Sequence, residues 1–185
     1  REGIKTPSAV QYVARAGHIK KYYGTYRILK VILSYDYLWI QVRVKGGAYG
    51  CMSGFGRDGD CYMVSYLDPK LAETNEVYDK LPEYLEQFDQ DERSMDRYVI
   101  GAISEMDIPK NPAALGVRGL TAYLSGITRE QLQKERDEVI DTDAKEIRAL
   151  VPYAKAVLSN NCLCVVGNEN KIKENSSLFT TVRSL

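Results

Sequence analysis

Between Thr25 and Val42 the chain places Ile28, Leu29, Ile32, Leu33, Tyr35, Leu38, Trp39 and Val42 close to a 3.6-residue period, and Gly46-Gly47 then halt the pattern. That spacing predicts a long helix, and its few charged positions predict that the helix lies under or between other elements. Two glycines are a natural stop, because a residue without a Cβ takes the left-handed backbone that ends a helix. Ala48 to Gly56 and Asp60 to Asp68 follow as β-rich runs around Arg57, Asp58 and Gly59. Asp-Gly between two such runs predicts a hairpin. Any fold for this chain must therefore let a buried helix turn directly into a two-stranded ribbon.

The rest of the chain supplies what packs around that unit. Ser8 to Ala16 alternates, with Val10, Tyr12 and Ala14 on one face and Ala9, Gln11, Val13 and Arg15 on the other, and predicts a strand. Gly17 to Gly24 reads as its connection to the helix. After the hairpin, Asp68-Pro69 opens a helical pattern running to Phe88 and broken mildly at Pro82, and Met95 to Met106 forms a clean apolar stripe ended by Pro109. Asn111-Pro112 caps the next helix, which ends at Gly126; Gly116 and Gly119 within it point to close helix packing or a bend. Thr128 to Gln131 fits a capping box for a charged helix through Ile140, and its run QLQKERDE reads as a solvated face. Thr142 or Asp143 opens another helix, split or kinked at Pro152. Cys162 to Gly167 is an apolar run predicting a central strand, Asn168 caps a short helix, and Ser176 to Leu185 reads as a tail. The order predicts an α+β fold in which a small, mainly antiparallel sheet of three or four strands carries helices over it, as a single domain spanning residues 1–185.

Composition excludes more than it proposes. A chain of 185 residues that is 44% hydrophobic buries roughly 70% of its unfolded surface. Lys plus Arg and Asp plus Glu balance at 25 each, so no global charge favours nucleic acid or an anionic membrane as partner. No apolar run is long enough to span a bilayer, and the N-terminus lacks the pattern of a signal peptide. The first residue is Arg rather than Met, which suggests a piece of a longer chain. The four cysteines, Cys51, Cys61, Cys162 and Cys164, have neither a disulfide framework nor zinc-knuckle spacing, and fit a reducing compartment. Cys51 and Cys61 become neighbours only if the hairpin register allows it. With His18 as the single histidine, the chain has no complete zinc or nucleophile set. His18 itself reads as a residue at a strand end, on the surface.

Two side chains bracket the glycine turn. Arg43 falls in the last helical turn and Tyr49 at the start of the next strand, so a fixed cation and a phenol face one space. An ordinary account also exists, since Arg near a helix C-terminus suits the macrodipole and Tyr suits a strand.

Five strings in order carry a family resemblance: TPSAVQYV from Thr6, VRVKGGAYG from Val42, VSYLDP from Val64, IGAISEMDIP from Ile100 and YLSGIT from Tyr123. Together they resemble the C-terminal domain of presequence proteases, a branch of the pitrilysin/insulinase-type zinc metallopeptidases, over essentially the whole chain. The resemblance implies a metallopeptidase-clamshell (LuxS/mitochondrial-processing-peptidase-like) domain, the last of a longer peptidase whose two halves enclose a peptide-sized chamber. Zinc would sit on an inverted HxxEH motif in the N-terminal half, with no metal or cofactor in this chain. By motif position Arg43 and Tyr49 would reach the scissile carbonyl and stabilise its oxyanion, while Gly46, Gly47 and Ala48 would let the substrate backbone come close. The implied partners are the N-terminal half of the same polypeptide and an unstructured peptide substrate, which would pair with a free strand edge near the hairpin. Such a fragment alone is expected to be inactive. The bacterial cytoplasm is the expected compartment, with the mitochondrial matrix as alternative, and the competing function is a structural or interaction domain of a non-catalytic homologue.

Overall fold

Strands β1 (Glu2–Thr6), β2 (Gln11–His18), β3 (Gly50–Phe55), β4 (Asp60–Asp68), β5 (Cys162–Asn168) and β6 (Thr181–Ser184) form one sheet in the computed structural model, which describes residues 1–185. Their order is β3-β4-β2-β5-β1-β6. β3 and β4 make the Asp58-Gly59 hairpin, and antiparallel pairing continues through β2 to β5. β1 then runs parallel to both β5 and β6. The sheet is therefore mainly antiparallel and its fold α+β, with β5 central as its apolar run predicts.

The two strands beyond the expected number are terminal. EGIKT and TVRS are too short to display alternation, and they become strands only by pairing with each other and with β5. Residues 181–184 are thus an edge strand, not a trailing tail. β2 also starts later than the expected Ser8. The Ser8 N–H donates to Thr6 Oγ1 (3.2 Å) and the Val10 N–H to Ser8 Oγ (3.2 Å), so short side chains hold this segment in a turn. β2 runs on to His18, which is an exposed strand end as expected. In the hairpin Cys51 stands opposite Ser65 and Cys61 opposite Phe55, so the two thiols are not neighbours and all four cysteines are free.

One face of the sheet is buried. Gln11, Val13 and Arg15 of β2, Cys61, Met63 and Ser65 of β4 and Leu163 and Val165 of β5 point into the core, while Tyr12, Met52 and Tyr62 point away from it. Arg15 is tolerated there because its guanidinium reaches the Asp79 carboxylate (3.0 Å) and the Leu158 carbonyl (3.3 Å). The covering layer comprises α1 (Thr25–Ile32), α2 (Ala72–Asp79), α3 (Leu81–Glu86), α4 (Glu92–Met106), α6 (Arg129–Ile140), α7 (Ala144–Arg148), α8 (Val151–Ser159) and α9 (Glu169–Glu174), and α5 (Pro112–Leu124) lies outside it with no buried side chain. Pro82 and Pro152 each stand in the first turn of a new helix, where a missing N–H costs nothing. Asn111, Thr128, Asp143 and Asn168 cap their helices through side-chain oxygens, and Thr128–Gln131 closes a full capping box.

Three helical expectations change. The long helix is α-helical only to Ile32 and continues as two π-helical segments, Leu33–Tyr37 and Trp39–Val44. The wider turn brings Leu33, Tyr37, Leu38 and Val42 to the core and leaves Tyr35 and Trp39 partly in solvent. Within α5, Gly116 and Gly119 have nothing beyond their own helix backbone within 4 Å of where a Cβ would stand, so they serve no packing against other elements of this chain. The charged run on α6 is not wholly solvated, because Glu135 is only 6% exposed.

Glu135 ties three elements together. One carboxylate oxygen accepts from Arg27 Nε of α1 (2.5 Å) and from the Tyr22 hydroxyl (3.2 Å). The other accepts from Arg57 Nε (2.9 Å) and Nη2 (2.5 Å) at the hairpin tip. Burial by itself would raise the Glu135 pKa, but the bonds from Arg27 and Arg57 outweigh it and hold the group below the ordinary carboxylate range. A carboxyl with a lowered folded pKa stabilises the fold above its unfolded pKa, and the benefit disappears as pH falls through the folded value. Glu135→Gln should cost about 2 kcal/mol in urea denaturation at neutral pH, between the worth of exposed and of buried pairs. The difference from the unsubstituted protein should shrink as the solution is acidified through and below the carboxylate range.

Candidate functional site

The glycine turn joins the second π-helical segment to β3 through a compact set of backbone bonds. The Lys45 N–H donates to the Ile40 carbonyl (2.9 Å), the Gly47 N–H to Arg43 (2.9 Å) and the Ala48 N–H to Val42 (3.2 Å), which satisfies the last carbonyls of the helix. A Cβ on Gly46 would stand 2.2 Å from the Val42 carbonyl oxygen, and Gly47 has φ +86°. Both glycines are required by the turn itself, and Ala48 is buried beneath it.

This turn brings Arg43 and Tyr49 together. Arg43 lies in the last turn of the segment Trp39–Val44, and Tyr49 stands just before β3, one residue short of the strand. Arg43 Nε donates to the Tyr49 carbonyl (2.9 Å), and its guanidinium lies 4.0 Å from the Trp39 ring centroid. A cation stacked on an aromatic face and tied through Nε keeps its terminal nitrogens in a fixed plane. The Tyr49 ring rests edge-on against Tyr66, with centroids 5.6 Å apart, and the residue remains 65% exposed. The guanidinium is thus held against Trp39 and the Tyr49 ring against Tyr66, at the start of a strand whose other edge has no partner in the sheet.

The far side of the turn is anchored on β4. The Tyr49 N–H donates to the Leu67 carbonyl (3.3 Å). β4 carries one extra residue between its pairings with Gln11 and Val13, and Leu67 takes φ +48° beside this bulge. Asp68, fully buried, braces the irregularity by accepting from the Ser65 hydroxyl (2.6 Å), the Thr74 hydroxyl (2.8 Å) and the Lys70 N–H (2.9 Å). Sequence reasoning missed Trp39, Leu67 and Asp68 as supports. Trp39 was detectable by its four-residue spacing from Arg43, whereas a bulge has no signature in alternation.

Nucleophilic chemistry has no place in the turn. Burial pushes the Cys51 thiol up to about 11 against the pull of Arg43, so it stays protonated at neutral pH. No three His, Cys, Asp or Glu side chains gather into a group that could hold a metal ion. What the turn holds is a guanidinium fixed through its Nε and an exposed phenol.

A family model described as PreP C-terminal domain matches residues 1–167. Protein HypA of Clostridium perfringens (strain 13 / Type A) is 47% identical over 188 residues, which cover 100% of this chain and 19% of HypA. Presequence protease 1, chloroplastic/mitochondrial, of Arabidopsis thaliana is 30% identical over 193 residues, covering 100% of this chain and 18% of that protein. The chain therefore spans less than a fifth of the length of these two relatives. Among solved structures, a peptidase M16 inactive domain from Pseudomonas fluorescens superposes with a TM-score of 0.61 at 16% identity, over 90% of this chain and 42% of that one. A protease from Helicobacter pylori gives 0.67 at 14% identity, over 90% and 42%. At such identities the structural likeness establishes the fold.

Two substitutions separate the turn from its brace. Gly47→Ala should destabilise the domain by about 1–2 kcal/mol, the cost of a Cβ in left-handed backbone. Asp68→Ala, which strands two buried hydroxyl donors and the Lys70 N–H, should cost at least about 1–3 kcal/mol in the same urea denaturation assay.

Proposed function

This chain belongs to the PreP C-terminal domain family, and on that premise we propose that it is the last domain of a longer zinc endopeptidase, a wall of the closed chamber in which unstructured peptides are cut. The single observation that carries this reading is the pairing of Arg43 with Tyr49 across the glycine turn, beside the free edge of β3. When a peptide carbonyl is attacked, negative charge builds on its oxygen, and preorganised donors facing that oxygen stabilise the tetrahedral species. The terminal nitrogens of Arg43 and the hydroxyl of Tyr49 take this role, each worth roughly 2.7–4 kcal/mol when fixed in place. Arg43 has a second task, since its bond to the Tyr49 carbonyl positions that residue's backbone. Gly46, Gly47 and Ala48 present a surface without bulk over which a substrate backbone passes, and β3 offers its unpaired groups to an extended peptide.

The residues of this chain do not fit zinc. The reading assigns the metal, and the activation of water, to the preceding half of the polypeptide. The name presequence protease, carried by several relatives, supports peptides as the substrate class. Similarity to a clostridial protein, together with four free cysteines, supports the bacterial cytoplasm, and relatives named as mitochondrial keep the matrix as the alternative.

In the full-length protein, cleavage of an unstructured peptide should be abolished by a zinc chelator. Tyr49→Phe and Arg43→Ala should each lower kcat/KM by about tenfold or more. Residues 1–185 alone should cleave nothing. Chelator-sensitive cleavage that is indifferent to both substitutions would reduce the domain to a passive wall, and a full-length protein without peptidase activity would mark a non-catalytic homologue.

A further inference from the structure

Helix α5 has the pattern of a core helix and no core. Ala113, Gly116, Val117, Leu120, Tyr123 and Leu124 recur at the three- and four-residue spacing that gathers side chains on one face of a helix. No side chain of α5 is buried, and Val117, Leu120, Tyr123 and Leu124 are 59–82% exposed. Apolar stripes on other helices of the chain behave differently, since Met95 and Ala102 of α4 are buried, as are Val151, Ala154 and Val157 of α8. The helix is nevertheless well specified, with Asn111 accepting from the Ala114 N–H (2.8 Å) and Gly126 closing its end at φ +65°.

We propose that the Val117, Leu120, Tyr123 and Leu124 face of α5 is the surface on which this domain docks against the preceding part of its own polypeptide. The inference rests on the reading of the chain as the last domain of a longer protein. Three observations select this occupant. First, the relatives are more than five times the length this chain covers, so a large body of polypeptide accompanies the domain. Second, α5 carries a single charge, Arg118, so the stripe suits a permanent apolar contact. A helix lying on a membrane surface would instead carry a basic face, and this one is also too short to cross a bilayer. Third, Gly116 and Gly119 are unfavourable in a helix, and beyond their own helix backbone they meet nothing within 4 Å inside this chain. Glycines in a helix allow another backbone to come close, and the surface they leave open faces outward.

The test places a photoreactive benzoylphenylalanine at position 120 of the full-length protein. Irradiation should yield a cross-link within one polypeptide, which peptide mass mapping should join to sequence preceding this domain. Hydrogen exchange supplies a second readout: residues 112–124 should be protected in the full-length protein, and Leu120→Ser combined with Leu124→Ser should speed their exchange by about tenfold or more. Cross-linking to a second copy, to added peptide substrate only, or to nothing would overturn the proposal, as would fast exchange of α5 in the unsubstituted protein. Peptidase activity read on the same samples separates the two claims. An active, chelator-sensitive enzyme with a free α5 rejects the docking alone, whereas an inactive protein with a protected α5 rejects the catalytic reading alone.

Discussion

Everything specific about this domain passes through the turn between the second π-helical segment and β3. The turn has no room for a side chain at Gly46 and demands positive φ at Gly47, and it is closed on both sides by backbone bonds. Its consequence is geometric. The guanidinium of a helix residue and the main-chain carbonyl of a tyrosine beside a strand, six positions apart in sequence, are joined by one hydrogen bond of 2.9 Å. Preorganisation of this kind separates a donor that stabilises developing charge from one that merely lies nearby. The supports sit one layer back, in the Trp39 ring under the guanidinium and in Asp68 behind the β4 bulge.

The parts of the fold legible in the sequence are those set by local chemistry. Asp58-Gly59 forms its hairpin, Asn111 and Thr128 cap the helices that follow them, and the apolar run from Cys162 lies in the middle of the sheet. What was hidden is what depends on distant partners. β1 and β6 are short segments that exist by pairing with each other across nearly the whole chain. Glu135 looks solvated inside a charged run until Arg27 and Arg57 arrive from elsewhere in the chain. The π-helical stretch was hidden too: Leu33, Leu38 and Val42 fit an ordinary 3.6-residue period in sequence, and only the structure shows the wider turn that also buries Tyr37. That Arg43, Gly46, Gly47 and Tyr49 share one turn could be read from sequence alone, but not the bond from Arg43 to the Tyr49 carbonyl.

The molecule is also lopsided. Helices cover one face of the sheet, while the other face carries Tyr12, Met52 and Tyr62 in solvent, and α5 stands with its apolar stripe uncovered. Exposed apolar surface on this scale is characteristic of a unit that works inside a larger assembly. Its parts are a packed layer around Glu135 and the core, the Arg43–Tyr49 turn at one sheet edge, and an apolar helix on the outside.

The central claim is that Arg43 and Tyr49 act on charge that appears only as the peptide bond breaks. The most direct measurement compares, in the full-length enzyme, the affinity of a tetrahedral phosphinic peptide analogue with that of the matching uncleaved peptide, for the unsubstituted protein and for Tyr49→Phe and Arg43→Ala. The account predicts that analogue affinity falls by about tenfold or more in each variant, in parallel with kcat/KM, while peptide affinity changes far less. Equal losses for both ligands would make the pair a ground-state contact, and unchanged analogue affinity would contradict the account.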